Sequence, residues 1–167
     1  VLSHSVRVAG NKIDEALAGF LKKQHAILVT DRVAEQIKFD LADVRSEKKM
    51  EHIAVVRGRD IATGMPLTVD VNMAKVSEAI HEPIQEILGA IKWVLGRVPP
   101  ELCADILKNG IYLTGGSAAL PNLDSMIATE FGVPVSVARD AGECTTLGAG
   151  YMADHFDMLG GISGKAE

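Results

Sequence analysis

The segment Ile111-Tyr112-Leu113-Thr114-Gly115-Gly116-Ser117 constrains the fold of this chain more than any other. A short apolar run suited to a buried strand stops at a glycine pair and leads towards a helix, the junction from which α/β architectures are built. Paired glycines admit positive φ and leave no Cβ in the way of a neighbour, and the N–H groups of the following turn can face an anion. Such junctions also arise from packing alone. By itself the segment therefore allows either a phosphate-bearing ligand or a plain structural turn.

The rest of the chain alternates strand and helix in a way that fits an α/β fold. Val1 to Val8 alternates well enough for a strand, and Gly10-Asn11 opens a helix with Ile13, Leu17, Phe20 and Leu21 on one face. Thr30 or Asp31 caps a second helix whose apolar stripe is Val33, Ala34, Ile37 and Leu41, with Glu35 and Lys38 pointing elsewhere. Ile53 to Val56, a turn at Gly58, a second turn at Thr63 to Pro66, and Leu67 to Val71 read as a small antiparallel sheet. Asn72 caps a long stretch with Val76, Ile80, Ile84, Ile87, Leu88, Ile91 and Leu95 at helical spacing, which Pro83 should kink or divide. Its apolar face reads as core rather than lipid-binding, and Trp93 does not change that. Pro99-Pro100 starts another helix, the strand Ile111 to Thr114 follows, and Pro121 to Phe131 is the next helix, terminated by Gly132. Val133 to Ala138 is a further strand, Gly142 to Phe156 a last helix, and the Gly-Ser-rich end over 158–167 a loose tail. Gly148 and Gly150 weaken the last helix, which suggests close packing against a strand or loop.

Composition removes several alternatives. The 167 residues are 47% hydrophobic, enough for a real core in one domain or two small ones. A net charge of −5 without any block of like charge argues against a nucleic-acid surface. Cys103 and Cys144 are far apart and lack metal-ligand spacing, so they read as buried thiols in a reducing compartment; the histidines at 4, 25, 52, 81 and 155 are isolated from them. The sequence has no run of eighteen apolar residues and no signal-peptide pattern at Val1-Leu2-Ser3-His4. A start without methionine, directly in an expected strand, leads us to expect an upstream segment.

Four motifs resemble one family, MreB, the bacterial actin-like proteins, in its C-terminal half from about Ser5 to Phe156. They are Arg7-Val8-Ala9-Gly10-Asn11-Lys12-Ile13-Asp14-Glu15-Ala16, Ala34-Glu35-Gln36-Ile37-Lys38, the hairpin Arg57-Gly58-Arg59-Asp60 through Thr63-Gly64-Met65-Pro66, and Pro99 to Gly116. The resemblance implies an actin-like ATPase (ribonuclease H-like) fold, present in part. Residues 1–26 and 101–157 would be subdomain IIA, with an inserted α+β subdomain IIB over 27–100. In such a fold strands 1 and 2 of the IIA sheet would lie upstream, so the isolated chain is expected to be unstable, to aggregate or to rearrange.

The resemblance also implies a ligand, ATP with Mg²⁺. Glu35 and Lys38 would reach the ribose and adenine, and Gly115 and Gly116 would pass under the α-phosphate and sugar. Ser117, where many relatives carry a third glycine, would donate to a phosphate or cap the helix. Glu35 offers acceptors and Lys38 donors, and a spacing of three puts both on one helix face; a plain surface ion pair is the alternative. The family's two acidic-glycine phosphate loops are not in this sequence, so the metal would be held mainly by the N-terminal half. The chain alone is expected to bind adenosine nucleotide only weakly and not to hydrolyse it.

What the resemblance implies for function is a cytoplasmic protein that polymerises head to tail into filaments at the inner face of the membrane. Cell-shape or wall-synthesis membrane proteins would be its partners, and membrane contact would come only through the other half. The hairpin Arg57 to Pro66 is a place for a self-contact. The alternatives are an FtsA- or chaperone-like nucleotide-binding module and a truncated, non-catalytic domain that docks on filaments.

Overall fold

The structure, a computed structural model, describes residues 2–44 and 53–156. The tail expected over 158–167 lies outside the described residues. Helix α1, Gly10–His25, buries Ile13, Leu17 and Leu21, and it ends at Ala26 in the left-handed conformation (φ 53°) with Lys22, Lys23 and His25 in its last turn. Cations at that end complement the helix dipole. A two-residue strand β1, Ile27–Leu28, leads to helix α2, Asp31–Leu41. The expected cap forms at Thr30, whose hydroxyl accepts from the Val33 N–H.

Strands β2, Ile53–Asp60, and β3, Pro66–Asn72, pair antiparallel from Ile53 opposite Asn72 to Arg59 opposite Pro66, and β1 adds to β2 antiparallel with Ile27 opposite Asp60. The turn expected at Gly58 is absent: β2 runs through it. A β-carbon at residue 58 would sit 2.4 Å from the Leu28 carbonyl oxygen and 2.7 Å from Ile27 Cγ1, so glycine is there for the close approach of β1.

Asn72 then caps helix α3, Met73–Ala79, by accepting from the Ala74 N–H, and α4, His81–Leu95, follows after an interruption at Ile80. The expected division is real but lies three residues before Pro83, which occupies the first turn of α4 where its missing N–H has no helical partner to lose. Helix α5, Pro100–Asn109, strand β4, Ile111–Leu113, a short 3-10 helix, Gly116–Ala119, helix α6, Leu123–Phe131, strand β5, Val135–Val137, and helix α7, Cys144–Asp154, complete the chain. β4 and β5 pair in parallel, Ile111 opposite Val135 and Leu113 opposite Val137.

One apolar cluster joins these parts: Ile13, Leu17 and Leu21 of α1, Ile37 and Leu41 of α2, Val56 and Val71 of the sheet, Val76, Ile80, Ile84 and Leu88 of α3 and α4, and Leu120, Leu123 and Ile127 around α6. The α3–α4 stripe is core through Leu88, as its spacing indicates. Each fully buried aliphatic side chain contributes roughly 1.5–3 kcal/mol.

Three other expectations fail. Residues 2–9 form no strand, because a strand exists by pairing and none of the described strands pairs with them. Cys103 is exposed and Cys144 half-exposed, since α5 and α7 bury none of their residues. A β-carbon placed on Gly148 or Gly150 would meet no atom within 4 Å, so neither glycine serves close packing among the described residues.

Candidate functional site

The start of α1, the last turn of α2 and the 3-10 helix after β4 meet at one place. Ser117 Oγ lies 3.0 Å and Lys38 Nζ 3.3 Å from where a β-carbon on residue 10 would stand, so Gly10 is what lets these two side chains come to the end of α1. Of the five residues expected at a ligand, the structure thus brings Lys38 and Ser117 together across 79 positions of sequence. Glu35 joins them one turn earlier on α2, its Oε1 4.0 Å from Lys38 Nζ.

Lys38 is not where the sequence reading put it. Its side chain is 3% exposed, tucked between α2 and α1 instead of facing solvent with Glu35, which is 56% exposed. The cause is Asp14 of α1. Lys38 donates to Asp14 Oδ2 at 3.0 Å, with Oδ1 2.9 Å from the ammonium but out of line for a hydrogen bond. An ammonium can be buried only when an opposite charge offsets its lost hydration, and Asp14 supplies that charge. The aliphatic stem of Lys38 fills space in the helix interface, as long cationic side chains do. The surface ion pair with Glu35 that the three-residue spacing also allowed is therefore loose.

The glycine pair lies at the edge of the same region. Gly115 has φ 87°, a conformation in which other residues are strained, and its N–H donates to the Ala141 carbonyl at 2.6 Å. The space in front of both glycines is open: β-carbons on Gly115 and Gly116 would meet nothing within 4 Å. A planar or sugar-like group could lie on that backbone. Beside Asp14, a cleft lined by Asn11, Asp14, Glu15 and Asp31 offers mostly acceptors, which suits hydroxyl groups better than phosphates. Exposed Lys12 bonds Glu15 on the same rim, and that hydrogen bond, with the attraction of the two charges, raises the Lys12 pKa.

Sequence reasoning missed two elements. Asp14 lies inside one of the family-like motifs without a role assigned to it; its pairing spans 24 positions and two helices, and no local periodicity announces it. A second polar junction ties the C-terminal end of α2 to the rest: Asn122 Nδ2 donates to Asp43 Oδ2 at 2.8 Å, and the Asp43 N–H donates to Ser77 Oγ at 3.3 Å. Asp43 and Ser77 are both buried. Among the described residues no group of three His, Cys, Asp or Glu side chains is placed to hold a metal ion, and no helix is long and apolar enough to cross a membrane.

Comparison with known proteins adds three kinds of likeness. The family model described as MreB/Mbl protein matches residues 1–161. Cell shape-determining protein Mbl of Bacillus subtilis (strain 168) is 42% identical over 159 residues, 95% of this chain and 47% of that protein. Cell shape-determining protein MreB of Escherichia coli (strain K12) is 37% identical over 161 residues, 96% of this chain and 46% of that protein. The chain spans about half the length of the curated relatives it matches. Among solved structures, MreB5 of Spiroplasma citri bound to ADP superposes with a TM-score of 0.85 at 26% identity, over 96% of this chain and 49% of that one.

Proposed function

Since the chain belongs to the MreB/Mbl family of actin-like cell-shape proteins, we propose that it is a nucleotide-binding part of a filament-forming protein of that kind, with ATP as its ligand. The observation that carries this reading is the convergence of Lys38 and Ser117 on Gly10, beside Glu35 and the open backbone of Gly115 and Gly116. The crystal structure of the Spiroplasma citri relative is of a form bound to ADP, which supports an adenine nucleotide as the ligand class.

In this reading the exposed Glu35 carboxylate accepts from the ribose hydroxyls, the buried Lys38 lies behind it in the hold of Asp14, and the ligand lies over Gly115 and Gly116. The Ser117 hydroxyl, aimed at the start of α1, donates to the ligand or holds the turn. Mg²⁺ would accompany ATP, with its ligands mainly in the family's other half, where it would offset phosphate charge. Residues 1–26 and 101–157 would correspond to subdomain IIA and 27–100 to IIB, and assembly would be head to tail under the membrane with wall-synthesis proteins as partners.

Titration of the 167-residue chain with ATP by calorimetry tests the reading, with Glu35→Gln as the control. Saturable binding that Glu35→Gln weakens is expected. Absence of binding, or binding that ignores Glu35, would sink it. Sedimentation with and without ATP separates an assembling protein from a module that binds nucleotide and stays in the supernatant.

A further inference from the structure

We infer that Asp14 is a positioning residue for this site: by holding the Lys38 ammonium it keeps the Glu35 carboxylate turned outward to accept from a ribose. The inference rests on the nucleotide reading above and gives it a component that neither the family motifs nor the relatives' names assign.

Lys38 has two carboxylates within reach and is shared unequally between them. Asp14 Oδ2, on a side chain 14% exposed, accepts a hydrogen bond from Lys38 at 3.0 Å, whereas Glu35 Oε1 stands at 4.0 Å, beyond hydrogen-bond distance, on a side chain 56% exposed. Glu35 and Lys38 are nevertheless three apart on one helix, the spacing at which such pairs close readily. What prevents closure is the competing acid on α1. A carboxylate engaged by an ammonium has fewer acceptor sites left for hydroxyls, so the identity of the partner of Lys38 decides what Glu35 can do.

Gly10 reinforces the arrangement. With no side chain at residue 10, the ammonium can reach under the first turn of α1 and stay there; the N–H groups of that turn repel a cation, and the Asp14 charge is what offsets them. Removing the charge at Asp14 leaves Glu35 as the remaining carboxylate within reach of a buried ammonium. Lys38 then turns to Glu35, and the ribose loses its acceptor.

The test is the ratio of affinities for ATP and 2′,3′-dideoxy-ATP, measured on the 167-residue chain by calorimetry. Wild type should prefer ATP by roughly tenfold or more, as expected when a charged acceptor loses its hydroxyl donors. Asp14→Asn should bring the ratio close to one, Asp14→Glu should retain most of it, and Lys38→Met added to Asp14→Asn should restore it, because no ammonium is left to engage Glu35. A residue needed only for stability would change both affinities together through the folded fraction and leave their ratio at the wild-type value. A wild-type ratio in Asp14→Asn, or a ratio that stays near one in Asp14→Asn/Lys38→Met, overturns the inference. Should Asp14→Asn alone not fold, Asp14→Ser takes its place with the same expected ratio near one, and a ratio near one in Asp14→Asn/Lys38→Met still refutes the inference. A wild-type chain that does not distinguish the two nucleotides refutes the ribose site itself, which is a separate outcome.

Discussion

Asn122 donates its side-chain N–H to Asp43 at 2.8 Å, closing a contact between residues 79 positions apart. The same Asn122 is the N-cap of α6 and sits at φ 63°. Asparagine tolerates that left-handed conformation better than other residues with a β-carbon. One residue thus sets the entry to α6 and anchors the segment that follows α2.

Two substitutions at this position separate those roles. Asn122→Gly keeps the backbone freedom and loses the hydrogen bond to a buried carboxylate, at a cost of about 1–3 kcal/mol. Asn122→Ala loses the bond and adds a strained φ, roughly 1 kcal/mol more. Chemical denaturation should place the alanine variant below the glycine variant; equal stabilities would show that φ at this position carries no cost.

Gly58 and Gly19 make opposite predictions for the same change. At Gly58 a methyl group would collide with the Leu28 carbonyl and the Ile27 side chain, so Gly58→Ala must push β1 away from β2 and should cost about 1–3 kcal/mol. Gly19 lies within α1 with nothing within 4 Å of the added carbon. Gly19→Ala should therefore raise stability by up to about 1 kcal/mol through helix propensity. Thermal unfolding of the two variants reads both signs.

How much of this is legible in the sequence follows from how far apart the cooperating residues are. The stripe Ile13-Leu17-Leu21, the Thr30 and Asn72 caps and the β2–β3 hairpin are encoded within a few residues each, and all of them form. Gly58 misleads because glycine signals a turn or a close approach equally well, and only the position of β1 distinguishes them. Residues 2–8 alternate like a strand, but alternation gives a face and not a partner. The family motifs single out Glu35, Lys38, Gly115, Gly116 and Ser117. What they do not show is that Lys38 is buried, since that depends on an aspartate one helix away.

The burial of Lys38 makes the two members of the Glu35–Lys38 pair unequal in stability. Replacing Lys38 by Ala removes a buried stem and leaves Asp14 facing the helix interface without its ammonium, which should cost about 3 kcal/mol or more. Glu35→Ala changes an exposed side chain and should stay within about 0.5 kcal/mol of the parent. Denaturation midpoints compared at constant slope decide the matter; similar costs would mean that the two residues form the ordinary surface pair.

The tip of the β2–β3 hairpin has a pH signature. The backbone N–H of Thr63 is the main cause that holds the Asp60 carboxyl below its ordinary pKa of 3.8, helped by the Thr63 hydroxyl and the Ala62 N–H. A carboxyl lowered in the folded state adds stability that is present above its unfolded pKa and is lost as pH falls through the folded value. The order of the tip should therefore persist at neutral pH and fade only below the usual aspartate range. Carboxyl-carbon NMR titration checks this: Thr63→Val, which removes the hydroxyl, should move Asp60 back towards its ordinary value while leaving the backbone contribution in place.

That network also bears on assembly. Asp60 binds three donors, Arg59 Nε donates to the Gly64 carbonyl, and Thr63 Oγ1 accepts from the Met65 N–H, so the tip is braced from within while Ile61 and Met65 are 43% and 64% exposed. A braced loop presenting apolar side chains loses little entropy on docking, which favours it as a self-contact. Ile61→Asp combined with Met65→Asp replaces apolar contact area by charge without touching the bracing bonds or the residues near Lys38. If the hairpin is a subunit contact, the variant should keep its melting temperature and ATP affinity and stay in the supernatant under conditions where the parent sediments. Sedimentation equal to that of the parent would place the contact elsewhere on the subunit.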